Sequence, residues 1–411
     1  MIIKLYNTIK RRKVKFEPIE KKEVKMFVCG PTVYDSMHLG HARVFIFYDL
    51  LSKLFEINNY KIKFVINLTD LDPKIFEKAK NNNVEYNIIS EKYTKEFLHD
   101  LKLLKINSEI IFAKASDYVD EAINQINVLI NNKFAYVSSG KVFYNTSNFL
   151  EYGKLSNQTS AEIKLRRLDI DPDKRNQSDF LLWVPSEDNE PRWNTKFGTG
   201  KPGWHIEDTA ISIKLLGERY DIHGGAKELI FPHHEAEIAQ AEGFTGKKPF
   251  VKYWVHTGLL KINGKKMSKS LKNSIRINDL LKKYESNVIK LYFCSYKYRK
   301  NMNFNTEEIN DTKKVLMIVK NAIKKLDSIN NSNNISIKKQ SKNKWINFKR
   351  CFYEYLADDM DTPKAVNKLR EFSEWINNND KLLNKELEQD FLTMCWSLGL
   401  VFKKDFIPSK N

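Results

Sequence analysis

The feature that most constrains the fold is a strand–helix–strand pattern near the N-terminus. MFVCG (26–30) is a short apolar run that Gly30-Pro31 closes, and KFVINLTD (63–70) is a second one. Between them, LGHARVFIFYDLLSKLFEI (39–57) repeats apolar residues near helical spacing. Two strands joined through a helix run parallel with a right-handed crossover. The pattern predicts an α/β fold with a parallel sheet, and ligands of such sheets bind at the carboxyl ends of the strands.

The sequence after this unit predicts an interrupted sheet domain. Residues 84–132 are predicted to be helical, whereas 133–195 contain short strand-like pieces and turn residues. We interpret this second stretch as an insertion. Residues 196–211 return to strand, loop and helix, and YDIHGG (220–225) is another predicted strand end. The sheet domain is therefore expected to resume after the insertion.

The C-terminal part is predicted to be mainly helical. Asn263-Gly264 is typical of a two-residue hairpin turn. From about residue 306 the chain is predicted to be helical and is rich in lysine. The polar segment 323–344 is predicted to be a linker or a long loop.

The net charge of +18 has two explanations. One is a polyanionic partner such as a nucleic acid. The other is codon bias, because lysine, asparagine and isoleucine are abundant throughout, as expected of an AT-rich genome. No apolar run reaches the ~18–20 residues of a membrane-spanning helix, and the basic N-terminus lacks the apolar region of a signal peptide. The four cysteines are widely spaced, which predicts a reduced, cytoplasmic protein without a membrane segment.

The segment IFPHHEAEIAQAEGF (230–244) is a candidate metal-binding helix. Pro232 is predicted to be the first residue of the helix, because proline favours that position, and Gly243 is the predicted stop. His233 and Glu237 are four residues apart, so they share one face of the helix. The spacing can present a nitrogen and an oxygen to one ion.

Two further residues complete a candidate zinc site. Cys29 would supply a sulfur from a strand end, and Asp208 in WHIEDTA would supply a second oxygen. A mixed set of sulfur, nitrogen and oxygen donors suits zinc. The alternative is structural: a buried cysteine often acts as a small apolar residue, and a His-Glu pair at helical spacing is common on surfaces. The spacings do not match a zinc finger, so both interpretations stay open on spacing alone.

Two segments are candidates for binding phosphate. His38-Leu39-Gly40-His41 lies at a strand-to-helix corner, where free N–H groups and the helix dipole attract anions. Gly40 lets a base or ribose approach the backbone, and imidazoles donate to phosphate oxygens. The segment 265–270, KKMSKS, has lysines and hydroxyls that can stabilise growing pyrophosphate charge. Structural histidines and a solvated charge run are the alternatives.

Taken together and in this order, HLGH (38–41) and KMSKS (266–270) resemble the two signature motifs of class I aminoacyl-tRNA synthetases. The match at 266–270 is complete. Five further segments narrow the resemblance to the cysteinyl-tRNA synthetase family over residues 1 to roughly 400: FVCGPTVYDSMHLGHAR, NLTDLDPKI, KPGWHIEDTAI, YDIHGGAKELIFPHHEAEIAQ and YWVHTGLL.

The resemblance implies a Rossmann-type catalytic domain with a connecting insertion, followed by an α-helical bundle. The implied divisions are the first half of the catalytic domain (1–115), the insertion (116–195), the second half (196–253), the KMSKS region (254–305) and a tRNA-binding bundle (306–411).

The family activates cysteine with ATP and Mg²⁺ to cysteinyl-adenylate and then loads tRNA(Cys). Its zinc binds the substrate thiolate through Cys, Cys, His and Glu ligands, which correspond here to Cys29, Asp208, His233 and Glu237. The second position departs from the family, since WHIED replaces the common WHIEC. A carboxylate is an acceptable zinc ligand, so one Zn²⁺ per subunit is expected, with a weaker preference for sulfur.

The resemblance also implies roles for the remaining site residues. His38, His41, Lys266 and Lys269 are the expected catalytic residues. ATP binding is expected to add four residues of the two motifs, Gly40, Met267, Ser268 and Ser270. The cysteine pocket is expected to comprise Gly30, Thr32, Thr69, Trp204, His205, His223 and His234.

Zinc has a physical purpose in this family, because serine differs from cysteine only by oxygen for sulfur. A pocket of fixed shape separates near-isosteres by ~10², while translation needs roughly 10⁴. A thiolate–zinc bond supplies the remainder. No editing site is then needed, and the insertion at 133–195 is small for one.

Two other functions compete with this interpretation. The ligase that joins cysteine to an inositol-linked glucosamine in mycothiol synthesis resembles the same core, and a non-catalytic RNA-binding paralogue is the other rival. The basic charge argues for tRNA, and the presence of both motifs argues for catalysis. Many family members continue into a domain that reads the anticodon, whereas this sequence stops at Asn411, so anticodon reading is expected to be weaker or replaced. We expect a monomer.

Overall fold

The computed structural model describes residues 1–106, 108–166, 170–267, 273–328, 339–379, 384–403, 406 and 408–409. The strands are β1 (Lys4–Asn7), β2 (Arg12–Lys15), β3 (Glu23–Val28), β4 (Lys61–Leu68), β5 (Ile110–Lys114), β6 (Ala135–Ser138), β7 (Lys141–Tyr144), β8 (Phe180–Pro185), β9 (Trp193–Thr195), β10 (Gly198–Pro202), β11 (Tyr220–Ala226), β12 (Val251–Thr257), β13 (Leu260–Ile262), β14 (Lys265–Lys266) and β15 (Met302–Phe304).

The helices connect and cover these strands. They are α1 (Leu39–Ile57), α2 (Pro73–Asn82), α3 (Tyr86–Leu103), α4 (Val119–Asn131), α5 (Ser160–Arg166), α6 (Trp204–Leu216), α7 (His233–Thr245), α8 (Ile277–Leu281), α9 (Ser286–Cys294), α10 (Thr306–Asp327), α11 (Lys339–Ala357), α12 (Thr362–Asn377) and α13 (Lys385–Ser397).

A five-stranded parallel sheet forms the centre of the molecule, in the order β12-β11-β3-β4-β5. The strand–helix–strand prediction is confirmed, since α1 connects β3 to β4 and spans the predicted 39–57. Apolar side chains such as Phe27 and Ile66 are fully buried in the sheet. Because β11 joins the sheet beside β3, on the side away from β4, a crevice opens at the carboxyl ends of these strands.

The interpretation of 84–132 as entirely helical is wrong in part. The stretch contains α3 and α4, but the edge strand β5 lies between them and pairs in parallel with β4. Ile110, Ile111 and Phe112 are apolar neighbours in a run of five residues, which is too short for periodicity to separate strand from helix. Pairing with β4 decides in favour of the strand.

The insertion forms a second sheet of its own. Its order is β6-β7-β8-β10-β9, with antiparallel pairing throughout. The sheet crosses the predicted boundary at 195/196, because β10 pairs with both β8 and β9. Trp183, Phe143 and Tyr144 fill its core. Since only Gly203 lies between the end of β10 and the start of α6, this sheet positions the start of that helix.

The hairpin predicted at Asn263-Gly264 is confirmed. Asn263 and Gly264 have φ angles of 50° and 74°, as a type I′ turn between β13 and β14 requires. Ser268, Lys269 and Ser270 of the KMSKS motif lie outside the described residues, and the side chain of Lys266 is likewise outside them.

Helices α10 to α13 form the predicted bundle. The linker predicted at 323–344 is wrong at both ends, because α10 extends to Asp327 and α11 begins at Lys339. The residues between 328 and 339 lie outside the described part of the chain. None of the helices that the structure describes has the length and apolar content to cross a membrane.

The end of the bundle closes over charged side chains of α1. Lys53 forms an ion pair with Asp49, and both side chains are 1% exposed. Lys290 of α9 donates from Nζ to the carbonyl oxygens of Lys105, at 2.6 Å, and Gly399, at 2.7 Å. Lys53 Nζ also lies 5.3 Å from the ring centre of Trp396 in α13. The parallel-sheet domain and the bundle therefore share a buried polar cluster.

Candidate metal and nucleotide site

Three elements, β3, α6 and α7, bring the four predicted metal ligands to one point in the crevice. Cys29 follows the last residue of β3, and its N–H donates to the carbonyl oxygen of Gly224 in β11 at 3.0 Å. Asp208 lies in the second turn of α6. His233 and Glu237 lie one turn apart on α7 and face the same side. All four side chains are buried.

Distances within this group fit one small cation. Asp208 Oδ2 lies 3.3 Å from Cys29 Sγ and 3.0 Å from His233 Nε2. Glu237 Oε1 lies 3.1 Å from His233 Nε2 and 4.0 Å from Cys29 Sγ. Zinc bonds of about 2.0–2.3 Å place tetrahedral ligands about 3.3–3.8 Å apart, so small adjustments would seat an ion. The structure thus brings the four predicted residues together, and their role as ligands remains a prediction.

Electrostatics within the group also favour a cation. Burial raises the pKa of the Cys29 thiol well above its ordinary value, and the nearby carboxylates of Asp208 and Glu237 add to this increase. Burial, followed by the charge of Asp208, likewise raises the pKa of Glu237. Three acidic groups in a dry pocket repel one another unless positive charge is supplied. A divalent cation supplies it and stabilises the thiolate.

Two histidines of the predicted substrate pocket line the other side of Cys29. His234 Nε2 lies 3.1 Å and His223 Nε2 lies 3.4 Å from Cys29 Sγ. With Cys29 and Glu237 they form a second, overlapping set of potential metal ligands. Burial is the main cause that lowers the pKa of both imidazoles well below the ordinary value, so both are neutral.

Residues that the sequence analysis missed support these histidines. The ring nitrogen Nδ1 of His223 lies 2.6 Å from the hydroxyl of Tyr220, and Nδ1 of His234 lies 2.8 Å from Nε2 of His256. Tyr220 and His256 are buried polar residues on β11 and β12. A polar side chain in a strand predicted to be buried could have indicated such supporting residues.

Asn67, also missed, supports the metal group directly. It lies near the end of β4, two residues before Thr69, and is 1% exposed. Its Nδ2 donates to Asp208 Oδ1 at 2.6 Å, and its Oδ1 accepts from the N–H of Gly30 at 2.6 Å. On the opposite side, Nδ1 of His205 lies 2.8 Å from Nδ1 of His233. Contacts of this kind orient metal ligands in proteins.

The predicted boundaries of α7 need one correction. Pro232 is the N-cap, and the helix begins at His233, close to the prediction. The stop is Gly246, with a φ of 67°, and the prediction of Gly243 is wrong. A Cβ at Gly243 would lie 3.1 Å from both Leu129 Cδ2 and Tyr144 Oη, so close packing explains this glycine.

The remaining pocket residues surround the same crevice. A Cβ at Gly30 would lie 1.7 Å from the carbonyl oxygen of Asn67, so only glycine fits there. Thr32 forms a β-bridge with Thr69, which is buried. Trp204 is 44% exposed and stacks on His233 with ring centres 4.5 Å apart. Its indole therefore forms a solvent-facing wall of the crevice.

The predicted nucleotide residues begin α1. His38 is the N-cap, and its Nδ1 accepts from the N–H of His41 at 3.3 Å. The two imidazole rings stack with centres 3.6 Å apart. A Cβ at Gly40 would lie 3.1 Å from Met267 Cε, so the described part of the KMSKS motif packs against the HLGH turn.

The chain that follows the KMSKS motif returns to the same turn. The N–H of Leu39 donates to the carbonyl oxygen of Ile275, and that of Ile277 donates to Met37. His38 and Arg276 form the β-bridge between these segments. Met267 and residues 275–277, which are described, thus both contact the start of α1.

Arg43 of α1 ties this helix to the KMSKS region. Its guanidinium is buried and donates to the carbonyl oxygens of five residues, over distances of 2.6–3.4 Å: Gly258, Leu259, Lys297, Tyr298 and Lys300. Burial lowers the pKa of Arg43 to about 10, so the group remains charged at neutral pH.

Comparison with known protein families shows to which family this chain belongs. Residues 15–314 match the family described as tRNA synthetases class I (C) catalytic domain. The chain belongs to the class I cysteinyl-tRNA synthetase family. A cysteine–tRNA ligase of Thermoplasma volcanium is 39% identical over 405 residues, which are 97% of this chain and 88% of that protein. One of Thermodesulfovibrio yellowstonii is 41% identical over 401 residues, which are 95% and 82% of the two chains.

Solved synthetase structures share the fold. The methionyl-tRNA synthetase of Mycobacterium tuberculosis in complex with methionyl-adenylate superposes with a TM-score of 0.69 at 12% identity, over 92% of each chain. A putative arginyl-tRNA synthetase of Campylobacter jejuni gives a TM-score of 0.62 at 13% identity, over 93% of this chain and 94% of that chain. The predicted α/β class and the family resemblance are both confirmed.

Proposed function

We propose that this protein activates L-cysteine with ATP to cysteinyl-adenylate and transfers the cysteinyl group to tRNA(Cys), with zinc gripping the substrate thiol. The observation that carries the proposal is the cluster of Cys29, Asp208, His233 and Glu237, which lies in the same crevice as the HLGH turn. The 37–41% identity to cysteine–tRNA ligases supports it.

In the activation step, a carboxylate oxygen of cysteine attacks the α-phosphorus of ATP and pyrophosphate leaves. His38 and His41 donate to the phosphate oxygens from the start of α1, and Lys266 and Lys269 supply positive charge to the leaving group. In the second step a terminal ribose hydroxyl of tRNA attacks the adenylate carbonyl, and AMP leaves. The protein positions the reactants and stabilises charge without a nucleophile of its own.

Recognition of cysteine rests on its sulfur. Bound by the four ligands, zinc would act as the Lewis acid that holds the substrate as a thiolate. His223 and His234, which are neutral, and Trp204, which faces solvent, enclose the side chain. Thr69 and the backbone beside Gly30 lie where the amino acid enters. A serine hydroxyl forms no equivalent bond and is rejected.

Charging of a tRNA(Cys) transcript with radiolabelled cysteine tests the proposal, with ATP–pyrophosphate exchange measured on the same preparation. We expect both activities with cysteine and a kcat/KM for serine lower by at least ~10⁴. Exchange without charging, together with cysteine transfer to an amino-sugar acceptor, would identify the mycothiol-type ligase instead. Binding of tRNA without exchange would identify a non-catalytic paralogue.

The zinc component has a separate test. Metal analysis of the purified protein is expected to give one zinc per chain, and removal by a chelator is expected to abolish cysteine-dependent exchange, with recovery on adding zinc. A metal-free protein that discriminates fully against serine contradicts this component and leaves the ligase assignment standing.

A further inference from the structure

Replacing a cysteine ligand with aspartate creates a geometric problem at position 208. A thiolate has a single donor atom, whereas a carboxylate has two oxygens and binds cations through one or both. In this site Asp208 Oδ2 faces Cys29 Sγ and His233 Nε2, at 3.3 Å and 3.0 Å. A second oxygen that also faced the ion would crowd the four-ligand arrangement that zinc prefers.

The second oxygen is already bonded elsewhere. Asp208 Oδ1 accepts from Asn67 Nδ2 at 2.6 Å, and the amide is 1% exposed. The orientation of this amide is fixed, because its oxygen accepts from the N–H of Gly30, which can only donate. The nitrogen must then face Asp208 and Thr69 Oγ1, which lies 3.2 Å away.

We propose that Asn67 is the positioning residue that makes Asp208 a ligand through Oδ2 alone, and so adapts a site built for a thiolate to a carboxylate. The amide occupies Oδ1 and prevents the carboxylate from turning both oxygens toward the ion. Through Gly30 the same amide also fixes the backbone that follows Cys29. This inference rests on the zinc component of the proposed function.

A double-mutant cycle on the full-length protein tests it. The four proteins are the wild type, Asn67→Ala, Asp208→Cys and the double variant, and zinc affinity is measured by competition with a chromophoric chelator. We expect Asn67→Ala to weaken zinc binding by about 10–100-fold in the wild-type background, the usual effect of losing such support. With Asp208→Cys in place, the same substitution is expected to change zinc affinity much less.

Cobalt substitution adds a signature that a general loss of stability would not produce. Four-coordinate Co²⁺ absorbs visible light more strongly than five- or six-coordinate Co²⁺. We expect the wild type to give the strong spectrum and Asn67→Ala to give a weaker one, because the freed carboxylate can bind through both oxygens. The spectra of Asp208→Cys and the double variant should be alike.

Asn67→Asp keeps the size and the acceptor for Gly30 N–H, and serves if Asn67→Ala fails to fold. It places an oxygen against Asp208 Oδ1 and is expected to weaken zinc binding at least as much. Unchanged zinc affinity in either variant, or equal losses in both backgrounds of the cycle, would overturn the inference. A wild type that binds no zinc would instead refute the zinc component of the proposed function.

Discussion

At the scale of single residues, Asp208 preserves charge while it changes chemistry. When a bound zinc holds Cys29 and Glu237 as anions, the group carries the same formal charge whether position 208 holds a carboxylate or a thiolate. A bound zinc would still have one more negative ligand than it needs. What changes is softness: Cys29 is the one sulfur among these four residues, so a substrate thiolate would be the second soft donor.

Two substitutions separate charge from softness. Asp208→Asn keeps the shape but removes the negative charge. We expect zinc affinity to fall by roughly 100-fold or more, because replacing residues that only support metal ligands already lowers metal affinity by about 10–100-fold. Asp208→Cys is expected to bind zinc more tightly than the wild type. Zinc content, measured by inductively coupled plasma analysis after dialysis against increasing chelator concentrations, ranks the zinc affinities of the three proteins. Equal zinc retention by the wild type and Asp208→Asn would contradict a ligand role for Asp208.

At the scale of elements, α1 connects the nucleotide turn to the region that carries the second motif. Its first turn holds His38 and His41, while Arg43 donates to carbonyl groups before β13 and before β15. Three of the five carbonyl groups also accept a backbone N–H, since Leu259 accepts from Met302, Lys297 from Lys300 and Tyr298 from Gly258. One charged side chain therefore connects the start of α1 to the segments before β13 and before β15.

Replacing Arg43 with methionine is expected to reduce the free energy of unfolding by about 3 kcal/mol, because five carbonyl acceptors lose the guanidinium, although three of them keep a backbone N–H. Arg43→Lys keeps the charge but reaches fewer carbonyl groups, so its loss should be smaller. Urea denaturation followed by circular dichroism measures both. Equal stability of Arg43→Met and wild type would show that water replaces the guanidinium without cost.

At the scale of the whole molecule, the sequence predicted the parallel sheet and the proximity of Cys29, Asp208, His233 and Glu237, because chemistry-bearing residues mark strand ends and helix starts. It did not predict Asn67, because one amide in an apolar strand is compatible with many surroundings. It also predicted that α7 ends at Gly243. The structure explains this glycine by close packing instead, because a larger residue would collide with Leu129 of α4. Short strands such as β5 depend on their partner strand, which local pattern does not specify.

Lys290 predicts how overall stability responds to pH. Burial lowers its pKa from 10.5 to about 7, despite the nearby Asp49, with Lys53 also close by. Above pH 7 the unfolded chain therefore holds more protons than the folded one, so the free energy of unfolding gains from this group as pH rises.

Relative to Lys290→Met, the wild type should gain about 1 kcal/mol per pH unit between pH 7 and 9. Subtracting the free energy of unfolding of Lys290→Met from that of the wild type cancels the contributions of all groups that titrate in both proteins. Urea unfolding at four pH values measures it. A difference that stays constant with pH would contradict the lowered pKa, and Lys53→Met is not equivalent because it breaks the ion pair to Asp49.

The buried cluster beneath the bundle has a consequence for the order of synthesis. Asp49 and Lys53 are made early, yet Trp396 and Gly399, which close over them and over Lys290, are made last. At the usual 5–20 residues per second, the ribosome needs tens of seconds to cover that interval. Helix α1 thus completes its packing only after residue 399 has left the ribosome, and until then the side chains of Asp49 and Lys53 are still in water.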